Sequence, residues 1–327
     1  MKAIVCHGYG APQDVLRFTD VDEPVVGDDD VLVRVRAASV NPADWHLVRG
    51  EPYIARLQVG LRRPSFRVPG CDVAGVVEAV GGNVTTLRPG DEVYGSPFLR
   101  GFGAFAERAC VTERLVAPKP AGLSFEQAAA VPLAASTALQ GLRDHGRIQP
   151  GHKVMVIGAS GGVGTFAVQI AKSFGAEVTG VCSTRNVDTV RSLGADHVID
   201  YTNEDVTEGG HRYDLVLQAA GTLSPADCRR MLAPTGTLVQ ISGDSDGRWI
   251  GAVDRLVSAR LLSPFVSQKL VSFTVTPSTE DLEALKELVE AGEVTPVIDR
   301  TYSLSEVPEA LRYLEEGHAR GKVAVTV

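Results

Sequence analysis

The 327-residue chain has few cysteines and no close cysteine pair. Its five cysteines are odd in number and far apart, which argues against a disulfide framework. No Cys-x-x-Cys occurs, so a structural zinc lobe with ordinary ligand spacing is excluded. We therefore interpret each cysteine as a small buried hydrophobic residue or an inert thiol.

The chain also lacks an excess of basic residues and a long hydrophobic run. Acidic residues outnumber basic ones by 40 to 32, which argues against a partner that is a nucleic acid or an anionic membrane. The longest weakly polar stretch, residues 128–139, is broken by Pro132 and is too short to cross a bilayer. The apolar run near the first residue is too short for a secretory signal. These absences predict a soluble, cytoplasmic protein.

The length predicts two domains, and the residue pattern changes twice along the chain. Residues 1–122 contain short alternating runs separated by Gly and Pro, which are typical of a small barrel-like β domain. Within residues 123–264 strands alternate with helices, which predicts βαβ units and a parallel sheet. The tail, residues 265–327, contains an apolar strand, two amphipathic helices and a final alternating strand. The pattern alone does not assign this tail to either domain.

The strongest motif is a glycine-rich loop between a predicted strand and a predicted helix. Glycines in this context allow a tight turn and a close approach of backbone N–H groups to a pyrophosphate at the start of the helix. A P-loop fits less well, because no Gly-Lys-Ser/Thr ends the segment. The alternative is a turn that only packs strand on helix. The loop comprises Gly158, Ala159, Ser160, Gly161, Gly162, Val163 and Gly164.

The end of the next predicted strand bears on cofactor choice. A site for NAD would carry Asp or Glu there, to accept a hydrogen bond from the ribose 2′-hydroxyl. The chain instead has Ser183 and Arg185, which are suited to a 2′-phosphate. The alternative is that Arg185 simply begins the following helix in solvent. The sequence therefore favours NADPH as the cofactor.

Several motifs in the same order resemble those of the zeta-crystallin-like quinone oxidoreductases, which are zinc-free medium-chain dehydrogenases/reductases. Met155 replaces the usual leucine in the strand before the glycine loop, which is a conservative departure. The resemblance covers essentially the whole chain. It implies an α/β fold in which a GroES-like β-rich catalytic domain, residues 1–122 completed by 265–327, carries an inserted Rossmann domain, residues 123–264. The motifs are the glycine loop, Ser39–Asp44, Pro69–Gly75, Arg88–Val93, Ser136–Ala138, Gln169–Lys172, Val181–Tyr201 and Gly317–Val323.

No metal site is expected. Zinc enzymes of the superfamily carry a zinc-binding cysteine and histidine where this chain has Asn41 and Cys71. Asn is a poor zinc ligand, and Cys71, even with His46 nearby, does not complete a set of three. Without a Lewis acid, the expected reaction is hydride delivery to an electron-poor acceptor: a quinone, or the β-carbon of an α,β-unsaturated carbonyl.

The resemblance also implies roles for individual residues. Asn41 and Asp44 would line the substrate side of the nicotinamide, and Thr137 would contact the nicotinamide itself. The alternative for Asn41 and Asp44 is turn chemistry beside a proline. His46 stands where relatives often have a tyrosine, and it could bind a substrate oxygen.

Further cofactor contacts are expected at four positions. Ser242 and Gly243 follow a predicted strand whose end would face the cofactor crevice. Tyr201 would border the adenosine phosphate by resemblance. Arg320 is a weaker candidate for the cofactor phosphates, because a solvated arginine at a helix end explains it equally well.

The role of an arginine-rich segment, the reaction and the oligomeric state remain open at this point. Five arginines between Arg49 and Arg67 would either clamp an anionic substrate or form a solvated flap, and the flap is favoured. The alternatives to a quinone or alkenal reductase acting on a small electrophile are an enoyl-thioester reductase of lipid or polyketide metabolism and a non-catalytic NADPH-binding protein. The apolar strand Leu270–Val275 predicts a homodimer, because such an edge is unfavourable in water.

Overall fold

The structure is a computed structural model. It describes residues 1–98, 101–208, 210–221, 223–241 and 267–327. Two compact units are present: unit 1 comprises residues 1–136, 276–291 and 296–327, and unit 2 comprises residues 137–275 and 292–295. The domain boundaries expected from the sequence, near residues 122 and 265, concern the functional domains rather than these compact units, and they stay a prediction.

The elements follow one another in a β-rich, then α/β, then mixed order. The strands are β1 (Lys2–Cys6), β2 (Leu16–Asp20), β3 (Asp30–Val40), β4 (Asp72–Val80), β5 (Glu92–Gly95), β6 (Arg108–Thr112), β7 (Val116–Pro118), β8 (Lys153–Ile157), β9 (Glu177–Cys182), β10 (His197–Asp200), β11 (Tyr213–Gln218), β12 (Leu232–Ile241), β13 (Lys269–Phe273), β14 (Ile298–Ser303) and β15 (Lys322–Thr326). The α-helices are α1 (Pro12–Val15), α2 (Pro42–Arg49), α3 (Arg56–Val59), α4 (Phe125–Ala129), α5 (Pro132–Gln140), α6 (Gly162–Ser173), α7 (Val187–Ser192), α8 (Pro225–Met231), α9 (Thr279–Glu290) and α10 (Val307–Glu315).

Unit 1 contains a seven-stranded sheet centred on β3. The order along the sheet is β14-β15-β3-β4-β5-β7, and β6 also pairs with β3. β3 pairs antiparallel with β4, β6 and β15. Val323 of β15 lies opposite Val40 of β3. The final strand of the tail therefore joins the sheet of the first β region, which the sequence pattern left open.

β3 follows the alternation that its sequence predicts. Val31, Val33 and Val35 are buried, while Arg34 and Arg36 are exposed. This period of two is expected for a strand with one face on a core. From residue 37 to residue 40 the strand is buried on both faces, because it continues toward the buried polar cluster described below.

Unit 2 contains a six-stranded sheet of order β10-β9-β8-β11-β12-β13, and its pairings are parallel. The near-continuous apolar strands β8 and β11 lie at its centre and are buried, as strands covered on both faces must be. The predicted alternation of strands and helices, and with it the predicted α/β fold, is confirmed. Among the described strands, β13 lies at one edge of this sheet.

Two local features differ from the expectations. The segment after Asn41, for which turn chemistry was the alternative expectation, is the helix α2, because Asn and Pro at these positions also suit a helix start. A helical sequence pattern runs from Leu133 to Asp144, but α5 ends as an α-helix at Gln140 and the chain continues as a π-helical turn, residues 141–145.

The five cysteines are all free: Cys71, Cys182 and Cys228 are buried, and Cys6 and Cys110 are half-buried. Burial raises the pKa of the Cys182 thiol to about 11. In the part of the chain that the structure describes, no helix combines the length and hydropathy needed to cross a membrane.

Candidate active site

The turn between β3 and α2 places Asn41 and Asp44 in the interior of unit 1. Asn41 is the N-cap of α2 in extended backbone conformation, and its N–H donates to Asp44 Oδ2 at 2.8 Å. Pro42 occupies the first helical position, where its missing N–H costs nothing. Asn41 is 4% exposed and Asp44 is 1% exposed. The local sequence thus forms a helix start whose two polar side chains point inward.

Asp72, at the start of β4, gathers the polar groups of this region. Its Oδ2 accepts from Ser39 Oγ at 2.7 Å and from Asn41 Nδ2 at 2.8 Å, and its Oδ1 accepts from the backbone N–H of Leu133 at 2.8 Å. The carboxylate is completely buried. A buried carboxylate is stable only with several donors and a compensating charge.

That charge is the ammonium group of Lys322. Its Nζ donates to Asn41 Oδ1 at 2.5 Å and lies 3.3 Å from Asp72 Oδ2. The Lys322 side chain is 3% exposed. β15 brings this lysine to the cluster because it pairs with β3. We call Ser39, Asn41, Asp44, Asp72 and Lys322 the buried polar cluster.

Sequence reasoning quoted Lys322 within a family motif but gave it no role. The available signal was a lysine that opens an alternating apolar strand, and that pattern does not distinguish a buried lysine from a solvated one. Both polar ends of the Asn41 amide are engaged within the cluster, with Asp72 and Lys322. The structure therefore commits this amide to its protein partners.

Asp44 and Cys71 lie together at one side of the cluster. Burial raises the pKa of the Asp44 carboxyl to about 7, and the neighbouring Asp72 charge acts in the same direction, whereas Lys322 opposes it. Burial, with the adjacent Asp44 charge, raises the pKa of the Cys71 thiol well above its ordinary value. In the absence of a metal, the Cys71 thiol is therefore protonated near neutral pH.

These residues do not fit a catalytic zinc ion. At the two zinc-ligand positions the chain has an amide that donates to Asp72 and a single thiol. The local positive charge is already supplied by Lys322.

His46 lies on α2, where its ring stacks on that of Trp45 with centroids 3.6 Å apart. Its Nδ1 is 2.9 Å from the carbonyl oxygen of Glu51. Because a carbonyl only accepts, Nδ1 carries the proton, and in the neutral ring Nε2 is an acceptor. A hydrogen bond from Nε2 to a substrate oxygen would require the imidazolium form.

The arginines between residues 49 and 67 differ in their contacts. Arg49 forms an ion pair with Glu315, with Nη2 3.1 Å from Oε2. Arg56 lies over the rings of Tyr9 and Tyr53 and donates to the carbonyl of Gly50. These two therefore hold the segment to unit 1. The remaining three are exposed: Arg62, Arg63 and Arg67.

The glycine loop of unit 2 has the geometry that its sequence predicts. Gly158 follows β8 with φ +84°, a left-handed conformation that glycine adopts without strain. A Cβ on Gly164 would lie 2.0 Å from the carbonyl oxygen of Gly158, so only glycine fits at this close approach. Gly161 caps α6, and its own carbonyl accepts from Thr165 N. The loop is thus closed tightly onto the start of α6.

This arrangement fits a pyrophosphate. The first N–H groups of α6 have no acceptor within the helix and carry its positive dipole end. The N–H groups of Gly158 and Ala159 both donate to the carbonyl of Val181, which fixes the loop to β9. Ser160 lies in this turn, and Val163 lies in the first turn of α6. The residues that could hold a dinucleotide are therefore brought together.

The end of β9 lies beside this loop. The Nδ2 group of Asn186 is 3.0 Å from Ser160 Oγ and 3.2 Å from Ser183 Oγ. Arg185 is exposed. Tyr201 is 58% exposed, and its N–H donates to the carbonyl of Cys182. Sequence reasoning named Ser183, Arg185 and Tyr201 but missed Asn186, whose inward orientation has no sequence signal.

The remaining predicted residues lie on α5, in unit 1, or outside the described residues. Thr137, on α5, is 6% exposed. Arg320 belongs to unit 1, and its N–H donates to Asp299 Oδ2 at 3.1 Å. Ser242 and Gly243 lie outside the described residues.

Comparison with known proteins decides the family. The family model for the alcohol dehydrogenase GroES-like domain matches residues 27–121, and the model described as zinc-binding dehydrogenase matches residues 193–325. The chain is 33% identical to the chloroplast envelope quinone oxidoreductase homolog of Arabidopsis thaliana, over 99% of this chain and 98% of the relative. The protein belongs to the zeta-crystallin-like quinone oxidoreductases of the medium-chain dehydrogenase/reductase superfamily. This confirms the family predicted from the sequence.

Two further comparisons concern enzymes of the same kind. The chain is 36% identical to the NADPH-dependent alkenal/one oxidoreductase of Arabidopsis thaliana, over 99% of this chain and 79% of the relative. The quinone oxidoreductase of Escherichia coli, solved in complex with NADPH, superposes with a TM-score of 0.86 at 25% identity, over the whole of both chains. The fold predicted from the sequence, a GroES-like domain with a Rossmann domain, is confirmed, and the protein is an oxidoreductase.

Proposed function

We propose that the protein is an NADPH-dependent reductase that delivers hydride to quinones or to the β-carbon of α,β-unsaturated carbonyls. The observation that carries this proposal is the tight glycine loop at the start of α6, which Asn186 links to Ser183 at the end of β9. The residues there, Ser183 and Arg185, carry a hydroxyl and a guanidinium group rather than a carboxylate. NADPH appears in the name of one similar enzyme and in the description of the solved structure of another.

The residues of unit 2 would hold the cofactor by charge and hydrogen bonding. The N–H groups at the start of α6 would bind the pyrophosphate, and Ser183, Arg185 and Tyr201 would bind the 2′-phosphate. NADPH, when bound, supplies the hydride. Ser242, Gly243 and Arg320 stay proposed cofactor contacts, and Thr137 stays a proposed contact of the nicotinamide.

In unit 1, the contacts of Asn41 and Asp44 support a positioning role. Their side chains are buried and hold the start of α2, which carries His46. The His46 ring would then meet the substrate oxygen that gains negative charge, as an imidazolium donor. This arrangement provides charge stabilisation without a metal, and we propose that the reaction is zinc-independent.

The function is tested by NADPH oxidation with three acceptors: a small quinone, an alkenal and a crotonyl thioester. Turnover with the quinone or the alkenal is expected, and turnover confined to the thioester would favour the enoyl-thioester reductase. Binding of NADPH without turnover of any acceptor would favour a non-catalytic protein. A chelator should leave the rate unchanged, and stoichiometric zinc with chelator-sensitive turnover would refute zinc independence.

Cofactor choice is tested by substitutions at the end of β9. Arg185→Ala should raise the KM for NADPH about ten- to a hundredfold and leave that for NADH nearly unchanged, because a hydrogen bond to a charged group contributes roughly 1.5–3 kcal/mol. Ser183→Asp should reverse the preference by repelling the phosphate. Equal use of both cofactors by the wild-type enzyme would refute this assignment.

We also propose a homodimer formed through the edge strand β13. Its partner on one side is β12, and among the described strands none pairs with its other side. Val271 and Phe273 on this strand are half-buried. Light scattering at micromolar concentration should give twice the mass of the chain, and a monomeric mass would refute the dimer. The expected cytoplasmic location is testable by cell fractionation.

A further inference from the structure

The side chain of Asn186 joins the two segments that form the proposed cofactor site. It is 4% exposed and is the N-cap residue of α7, in the segment that follows β9. Its Nδ2 group lies within hydrogen-bond distance of one hydroxyl on each segment: Ser160 Oγ in the glycine loop at 3.0 Å, and Ser183 Oγ at the end of β9 at 3.2 Å. One amide group therefore holds both serines at once.

The orientation of this amide decides what the serines can do. An amide NH₂ group only donates, so both hydroxyl oxygens act as acceptors toward Asn186. Each hydroxyl proton is then directed away from Asn186. Two hydroxyl donors on neighbouring segments are what an anionic phosphate requires.

The carbonyl oxygen of Asn186 supports a functional interpretation. It is buried and has no hydrogen-bond partner among the described residues. A buried acceptor without a partner costs free energy, so such an atom in a folded protein calls for an explanation. The hydrogen bonds to the two serines are instead made by the NH₂ group.

We propose that Asn186 is a positioning residue for selectivity toward NADPH: it turns the Ser160 and Ser183 hydroxyl protons toward the 2′-phosphate. The inference rests on the proposed function, because it assumes that a dinucleotide occupies this loop. Asn186 does not itself touch the phosphate in this scheme. Its removal therefore weakens binding of the phosphate-bearing cofactor and spares that of NADH.

The test uses direct binding rather than turnover. The dissociation constants of NADPH and NADH are measured by fluorescence titration of the full-length protein. Asn186→Ala should raise Kd for NADPH about five- to tenfold, since it releases hydroxyls that donate to a charged group, and should change Kd for NADH less than about twofold. Asn186→Asp has nearly the same shape but only accepts hydrogen bonds, so it should draw both hydroxyl protons inward. A loss of NADPH affinity of about fiftyfold or more is expected.

Asn203→Asp is the matched control for added charge. Asn203 is exposed on the neighbouring turn, with Nδ2 2.7 Å from Asp200 Oδ2. This variant should stay within about threefold of the wild-type Kd for NADPH, because an exposed charge is screened by solvent. In a Ser160→Ala/Ser183→Ala background, Asn186→Ala should have no further effect, since its targets are gone.

Several results would overturn the proposal. Retained NADPH affinity in Asn186→Asp would show that the side chain accepts rather than donates. Equal weakening of both cofactors by Asn186→Ala would show a purely structural role. A full effect of Asn186→Ala without the two serines would also contradict it. If the wild-type protein binds NADH as tightly as NADPH, the proposed function fails instead, so the two failures are distinguishable.

Discussion

Lys322 provides the sharpest test of how unit 1 is held together. Replacing it by Met removes the ammonium but keeps most of the apolar stem. Asp72 then remains fully buried without its compensating charge, and Asn41 Oδ1 loses its donor. Breaking a buried ion pair from one side costs about 3–5 kcal/mol. In a unit of this size, 1 kcal/mol shifts Tm by roughly 2–4 °C, so Lys322→Met should lower Tm by roughly 6–20 °C.

Lys2→Met is the matched control. Lys2 also forms an ion pair in unit 1, and its N–O distance is shorter than that between Lys322 and Asp72. Its Nζ is 2.7 Å from Asp20 Oδ2, but the two side chains are 45% and 74% exposed. Exposed pairs contribute about 0–1 kcal/mol, so Tm should fall by at most roughly 4 °C. The comparison separates burial from distance, since the shorter pair is expected to matter less.

The assay is differential scanning calorimetry at a fixed scan rate. Asp72→Asn in the Lys322→Met background removes the second charge and should recover part of the lost stability. The combined loss should therefore be smaller than the sum of the two single losses, because residues in one network do not act independently. The buried-charge argument would be refuted if Lys322→Met had the same Tm as the Lys2→Met control. Strictly additive losses of stability in the double variant would also refute it.

Three other outcomes are expected. The pKa of Asp44 is raised from 3.8 to about 7 in the folded state, so its stabilising contribution is complete below about pH 4 and is lost as pH rises to about 7. The Tm of Asp44→Asn minus the Tm of the wild type should therefore rise from pH 5 to pH 7 and then level off. A difference in Tm that does not depend on pH would contradict this. Gly164→Ala should abolish cofactor binding and lower Tm, since its Cβ would meet Gly158 O at 2.0 Å, whereas in Gly161→Ala the corresponding distance is 3.5 Å and Tm should hold. Tyr94→Phe should lower the free energy of unfolding by about 1–3 kcal/mol, because the buried carbonyl of Leu282 loses its hydroxyl donor. An unchanged free energy of unfolding in denaturant would argue against that hydrogen bond.

The sequence determined the elements whose signals are local. The alternation of β3 and the strand–loop–helix order around Gly158 appear in the structure as the pattern predicts. Period-two burial and glycine-dependent turns depend on neighbouring residues, so they can be inferred from one chain. The residue at position 183, a serine where an NAD site would carry an acidic residue, is an equally local signal. The prediction of NADPH as the cofactor rested on it.

The tertiary structure decided which polar residues are buried and what they contact. Asn41 and Lys322 are 281 positions apart, and only the pairing of β15 with β3 brings them together. The pKa of Asp44 depends on the same packing, because burial beside Asp72 raises it. Asn186 differs from any solvated helix-start asparagine only in its orientation toward two serines. Such orientations are set by the packing of distant segments, and a linear pattern carries no record of them.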